Sequence, residues 1–72
     1  MPFVISQEIL NNWHYSPYFI HYVDGRYDFM EMKEDRPGLM KFESHQDAET
    51  FCKNNRIKLG QAPFTVKKIV EI

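Results

Sequence analysis

Hydrophobic and polar positions alternate most clearly between residues 18 and 33, on either side of an Asp24-Gly25 pair. Asp-Gly accommodates the positive φ angles of a type I′ turn, whose twist matches that of paired strands. The pattern therefore predicts a β-hairpin of residues 18–23 and 26–33. A two-residue loop fixes the register: Val23 faces Arg26, Tyr22 faces Tyr27, His21 faces Asp28 and Ile20 faces Phe29. One face then carries Tyr18, Ile20, Tyr22, Tyr27 and Phe29, the expected core side. The other carries Phe19, His21, Val23, Arg26, Asp28, Met30 and Met32 and is not cleanly polar. Phe19, Met30 and Met32 are expected to meet an N-terminal helix, a second copy of the chain or a partner protein.

Upstream, a short strand at residues 3–5 is followed by Ser6, a good N-cap, with Glu8 in the first turn and Ile9, Leu10 and Trp13 as an apolar side. This predicts a helix of about two turns, limited by Asn11-Asn12 and the loop from His14 to Pro17. Downstream, Pro37-Gly38 closes a charged turn and delivers a third strand at residues 39–43, with Met40 and Phe42 on one side. Three consecutive antiparallel strands would make a meander.

Ser44, followed three residues later by Asp47, opens a helix to about Asn54 whose stripe is Ala48, Phe51 and Cys52. Asn54-Asn55 stops it, Gly60-Gln61-Ala62-Pro63 turns the chain, and residues 64–72 form a last strand. Lys68 interrupts the apolar parity of Phe64, Val66, Val70 and Ile72, which implies a bulge at Lys67-Lys68 or a strand apolar on both faces. The expected fold class is α+β: short N-terminal helix, three-stranded antiparallel meander, one main helix packed on the sheet, and a C-terminal strand.

Composition narrows what such a fold can do. The 72 residues suffice for one domain, and a chain this short buries only about 60% of its unfolded surface. Its 15% aromatic content supplies bulk where extra core residues are lacking, and it leaves tyrosines for a recognition surface. The single cysteine, Cys52, excludes an internal disulfide and a thiolate-rich zinc site and fits a reducing compartment. The apolar opening Pro2-Phe3-Val4-Ile5 is short, lacks a basic flank and resembles neither a signal peptide nor a membrane span, so a cytoplasmic location is expected.

Candidate chemistry is sparse. Cys52 on the apolar helix stripe reads as a small hydrophobe rather than a nucleophile. His14, His21 and His45 lack metal-ligand spacing, and the three glycines are dispersed one to a turn, with no phosphate-cradling loop. Directly opposed strand residues have Cβ atoms about 5 Å apart, so His21 and Asp28 are expected to form a stabilising cross-strand pair. Glu31, Glu34 and Asp35 read as a solvated turn without calcium-loop spacing. The expectation is a non-enzymatic chain with no cofactor and no metal.

Charge is divided along the chain. Residues 24–49 hold eight acids against four bases, whereas residues 50–70 hold five bases, Lys53, Arg56, Lys58, Lys67 and Lys68, and no acid, within a net charge of −1. The basic segment 53–68 is a natural phosphate footprint, which makes a small nucleic-acid-binding or regulatory subunit the second functional reading. The first is a protein-binding domain that uses Phe19, Met30, Glu31, Met32, Glu34 and Asp35, where acids flank apolar side chains. A homodimer is a further way to cover the apolar hairpin face. In size and layout, though in no specific residue pattern, the chain resembles the small accessory proteins of phages and mobile elements, including inhibitors of host defences. That resemblance implies an anti-defence inhibitor that binds a host protein stoichiometrically.

Overall fold

The Asp24-Gly25 turn forms as its residue types require, with φ of 53° at Asp24 and 78° at Gly25. The computed structural model describes residues 1–10 and 16–72, and in it the hairpin has the register expected from that turn. The elements are β1 (Phe3–Ile9), β2 (Tyr18–Val23), β3 (Arg26–Glu31), α1 (His45–Asn54), β4 (Gly60–Gln61) and β5 (Thr65–Glu71). The strands form one antiparallel sheet in the order β3-β2-β1-β5-β4. Among the described residues the fold is α+β, a five-stranded antiparallel sheet with one helix.

No N-terminal helix is present among the described residues. Ser6 to Ile9 instead continue β1, which pairs with β5 without a break from Phe3↔Glu71 to Ile9↔Thr65. A helix of two turns carries the full nucleation cost with few bonds to offset it, and the seven-position ladder with β5 is the better alternative. Ser6, the expected cap, is 1% exposed, and its hydroxyl donates to the Lys68 carbonyl at 3.4 Å. Residues 11–15 of the expected helix and loop, including Trp13, His14 and Tyr15, lie outside the described residues.

The meander is also replaced. β1 pairs with β2 only at Ser6↔Phe19 and Gln7↔Tyr18. Beyond those pairs the two strands part, and residues 38–42 fill the gap, bridging His21↔Leu39 on one side and Phe3↔Phe42 on the other. Four backbone bonds of 2.8 to 3.1 Å hold this wedge: Tyr22 N–H to Gly38, Met40 N–H to Ile20, and a reciprocal pair between Phe3 and Phe42. Residues 39–43 thus join the edge of β2 remote from β3, a position from which Met40 and Phe42 reach the core. Gly38 is what permits the close passage. Its φ is +95°, and a Cβ there would lie 2.5 Å from the Tyr22 carbonyl oxygen.

The core lies between the helix and one sheet face. Ile5, Ile20, Ala48 and Cys52 are buried, flanked by Phe29, Met40, Phe42, Phe51, Ile57 and Ile69. Each fully buried aliphatic side chain contributes roughly 1.5 to 3 kcal/mol relative to an exposed one. Phe51 joins helix and sheet edge-on to Tyr27 at 4.8 Å and tilted against Phe42 at 5.2 Å. Ser44 caps α1 by accepting the Asp47 N–H at 3.0 Å. At the other end Arg56 adopts a left-handed φ of 58°, which lets Ile57 N–H return to the Cys52 carbonyl at 2.9 Å. That 6→1 bond is the Schellman closure of a helix.

β5 contains no bulge at Lys67-Lys68, since its register with β1 is continuous. It is instead apolar on both faces, with Ile69 on the helix side and Val66 and Val70 on the other. Gly60-Gln61, expected as part of a turn, pairs with Lys67 and Val66 as β4. Phe64 precedes β5 and is 77% exposed rather than sharing its apolar parity.

Candidate functional site

Two side-chain groups singled out in the sequence can be placed in space. The first surrounds the end of β3. Phe19 and Met30 are directly paired and half-buried on the sheet face away from the helix, while Glu31, Met32, Glu34 and Asp35 are exposed. The Arg36 guanidinium donates to the Glu31 carbonyl, and Arg36 N–H bonds the Lys33 carbonyl at 3.1 Å. These bonds fold the chain into a tight turn with Glu34 and Asp35 at its tip. Met32, 47% exposed, lies beside them. Lys33, Arg36 and Lys41 interleave with the acids, so the surface carries both signs rather than the acidic character suggested by its three carboxylates. No carboxylate of Glu31, Glu34 or Asp35 is ion-paired among the described residues.

Behind this turn, an open surface depression is lined by His21, Met32, Lys33, Glu34, Arg36, Gly38, Leu39 and Lys41. His21 is fully buried. Its Nδ1 lies 2.7 Å from the Phe19 carbonyl, an acceptor, so Nδ1 carries a proton; Nε2 has no partner among the described residues. The expected pair with Asp28 is not made. The two residues are opposed in register, but the ring turns back toward its own strand while Asp28 stays exposed.

The second group is the basic segment, and the fold divides it. Lys53, Arg56, Lys58 and Lys67 border three depressions beside the C-terminus of α1, all of which share Lys58. Lys67 places its ammonium 5.7 Å from the centre of the Phe29 ring, a cation–π distance. Lys68 is on the opposite sheet face, where its ammonium pairs with Glu8 at 3.5 Å. Consecutive strand residues point to opposite faces, so the Lys67-Lys68 doublet cannot act as one patch.

Cys52 is buried, and its thiol pKa is raised, first by desolvation and second by the Glu49 carboxylate. Both causes disfavour the reactive thiolate. His45 lies within ion-pair distance of Glu49 one helical turn on and meets Phe3 edge-on at 5.9 Å. Among the described residues, no three His, Cys, Asp or Glu side chains gather as a metal-binding group, and no helix is long and apolar enough to cross a membrane.

Sequence reasoning left tyrosines for a recognition surface but counted Tyr22 and Tyr27 with the core side. Tyr22 and Tyr27 fall on the helix-side face, as expected, yet they are 50% and 44% exposed, with ring centres 5.0 Å apart. The signal was present in their closeness to the turn, since the last pairs of a hairpin project past a helix that packs across its middle. Comparison of the chain with protein-family models, curated proteins and solved structures returned no match.

Proposed function

We propose that this chain acts by stoichiometric binding to a protein through the end of its hairpin, and that the binding inhibits that protein. Of the residues expected, Phe19 and Met30 share the sheet face away from the helix and Met32, Glu34 and Asp35 belong to the turn beyond it, while Glu31 points to the helix-side face, so the surface wraps around the outer edge of β3. The observation that carries this reading is the exposed Met32, close in the chain to three carboxylates without ion-pair partners among the described residues, on a turn held by Arg36. An apolar anchor ringed by charge gives a partner both contact area and electrostatic steering. Inhibition of a host protein, the role implied by the likeness to accessory proteins of phages and mobile elements, needs only such a surface and no catalytic group. It would operate in the cytoplasm, where Cys52 stays reduced. Replacing Glu31, Glu34 and Asp35 together by Lys should weaken the complex and reduce its salt sensitivity; unchanged binding would refute the assignment.

A second reading is favoured by the gathering of Lys53, Arg56, Lys58 and Lys67 around adjoining depressions. These four cations would contact the phosphates of a nucleic acid. Such binding must fall steeply between low and moderate salt, because phosphate neutralisation releases counterions. Filter binding at two salt concentrations separates this reading from the first.

A further inference from the structure

The outer edge of the sheet at β3 has a sequence that complements itself. β3 pairs on one side with β2 and is the last strand of the sheet on the other. In a hairpin closed by a two-residue turn, Val23 and Arg26 exchange hydrogen bonds, so the backbone groups of Arg26, Asp28 and Met30 point inward. Those of Tyr27, Phe29 and Glu31 point outward. The Arg36 bond to the Glu31 carbonyl uses one of these outward groups. Arg26 and Asp28 are exposed on the face away from the helix, and neither has an ion-pair partner among the described residues.

We propose that two copies of this chain associate edge to edge through β3, antiparallel about a two-fold axis at Tyr27, with Arg26 of each copy opposite Asp28 of the other. Two-fold symmetry requires that one residue pair with its own mate. Centring on Asp28 would oppose two carboxylates. Centring on Phe29 would place Asp28 against Met30 and require the Glu31 carbonyl that Arg36 already occupies. Centring on Tyr27 makes Tyr27 and its mate exchange N–H and C=O bonds. The same arrangement sets two Arg–Asp pairs in non-hydrogen-bonded positions, where side chains approach most closely. It also brings the half-exposed Tyr22 and Tyr27 rings of both copies to one seam on the helix side. Residues 30–35 lie beyond the paired stretch, so the surface assigned above stays open on each copy, and the two assignments stand or fall separately.

Sedimentation velocity over a concentration series tests this, using the wild type, Arg26→Asp, Asp28→Arg and the Arg26→Asp/Asp28→Arg double variant at low and moderate salt. The wild type is expected to dimerise with rising concentration. Each single variant turns both cross-copy pairs into like-charge contacts and should loosen the dimer by about tenfold; the double variant, with the pairs restored in reverse, should recover it. Amide exchange at Tyr27 should slow as the dimer forms, independently of any substitution. A wild type that stays monomeric throughout, single variants that dimerise as tightly as it does, or a double variant no tighter than the singles would each overturn the proposal.

Discussion

Gly38 passes so close alongside β2 that a Cβ on it would sit 2.5 Å from the carbonyl oxygen of Tyr22, whose N–H bonds the Gly38 carbonyl at 2.8 Å. The contact anchors the segment that fills the gap between β1 and β2 and carries Met40 and Phe42 into the core. Gly38→Ala must relieve both a backbone clash and a positive φ. We expect it to destabilise the fold by about 2 to 5 kcal/mol, the sum of an overpacking and a left-handed-backbone cost. Urea denaturation measures this directly. Gly25 also has a positive φ, but a Cβ there would meet nothing within 4 Å, so Gly25→Ala should cost only the conformational part.

Arg56 holds the left-handed position that ends α1, where glycine is the usual occupant. Arg56→Gly should stabilise the protein by up to about 1 kcal/mol, the relief of backbone strain less the added freedom of the unfolded chain. For a domain of this size the midpoint should rise by about 4 to 8 °C per kcal/mol, which thermal unfolding resolves. The same variant removes one cation from the group at Lys58, so it should also weaken any nucleic-acid binding.

Cys52 supplies a pH prediction with a definite sign. Its thiol is held protonated in the folded chain, by burial first and by Glu49 second. A raised pKa means that the folded state binds the proton more tightly than the unfolded state does. The associated stability is fully present below the unfolded thiol pKa, about 8.5, and is lost as pH rises through the folded value. Stability should therefore fall in mildly alkaline solution, and Cys52→Ala should remove the thiol's share of that slope. Alkylation of Cys52 at pH 8 should be far slower in the native chain than in urea.

Local features were the legible ones. Asp24-Gly25 set the turn and hence all six residue pairs of the hairpin, and Ser44 with Asp47 marked the start of α1. Long-range pairing was not written locally. Phe3 to Ile9 contains both a capping serine and an alternating pattern, and the outcome was decided by β5, which begins more than fifty residues later and offers a full ladder. Residues 39–43 were read as a third strand; they make only isolated bridges, Leu39 to β2 and Phe42 to β1 rather than to β3, while Met40 and Phe42 do pack against the core. The same division applies to the surfaces. Exposure of Glu31, Met32, Glu34 and Asp35 follows from a polar segment at the hairpin's end, whereas the burial of His21 and the turn of its ring toward the Phe19 carbonyl are tertiary outcomes that its place opposite Asp28 did not announce. Adjacent Lys67 and Lys68 looked like one basic patch until the strand placed them on opposite faces.

The central claim is stoichiometric protein binding through residues 30–35, and affinity capture followed by calorimetry tests it most directly. The tagged wild type is used to retain proteins from the organism that encodes it, and the retained protein is purified and titrated with wild type and with the Glu31→Lys/Glu34→Lys/Asp35→Lys variant. We predict saturable binding at a fixed ratio by the wild type and an affinity at least about tenfold weaker, with a shallower salt dependence, for the variant. Failure to retain a saturably binding protein, or equal affinity and salt dependence for the two chains, would contradict the account.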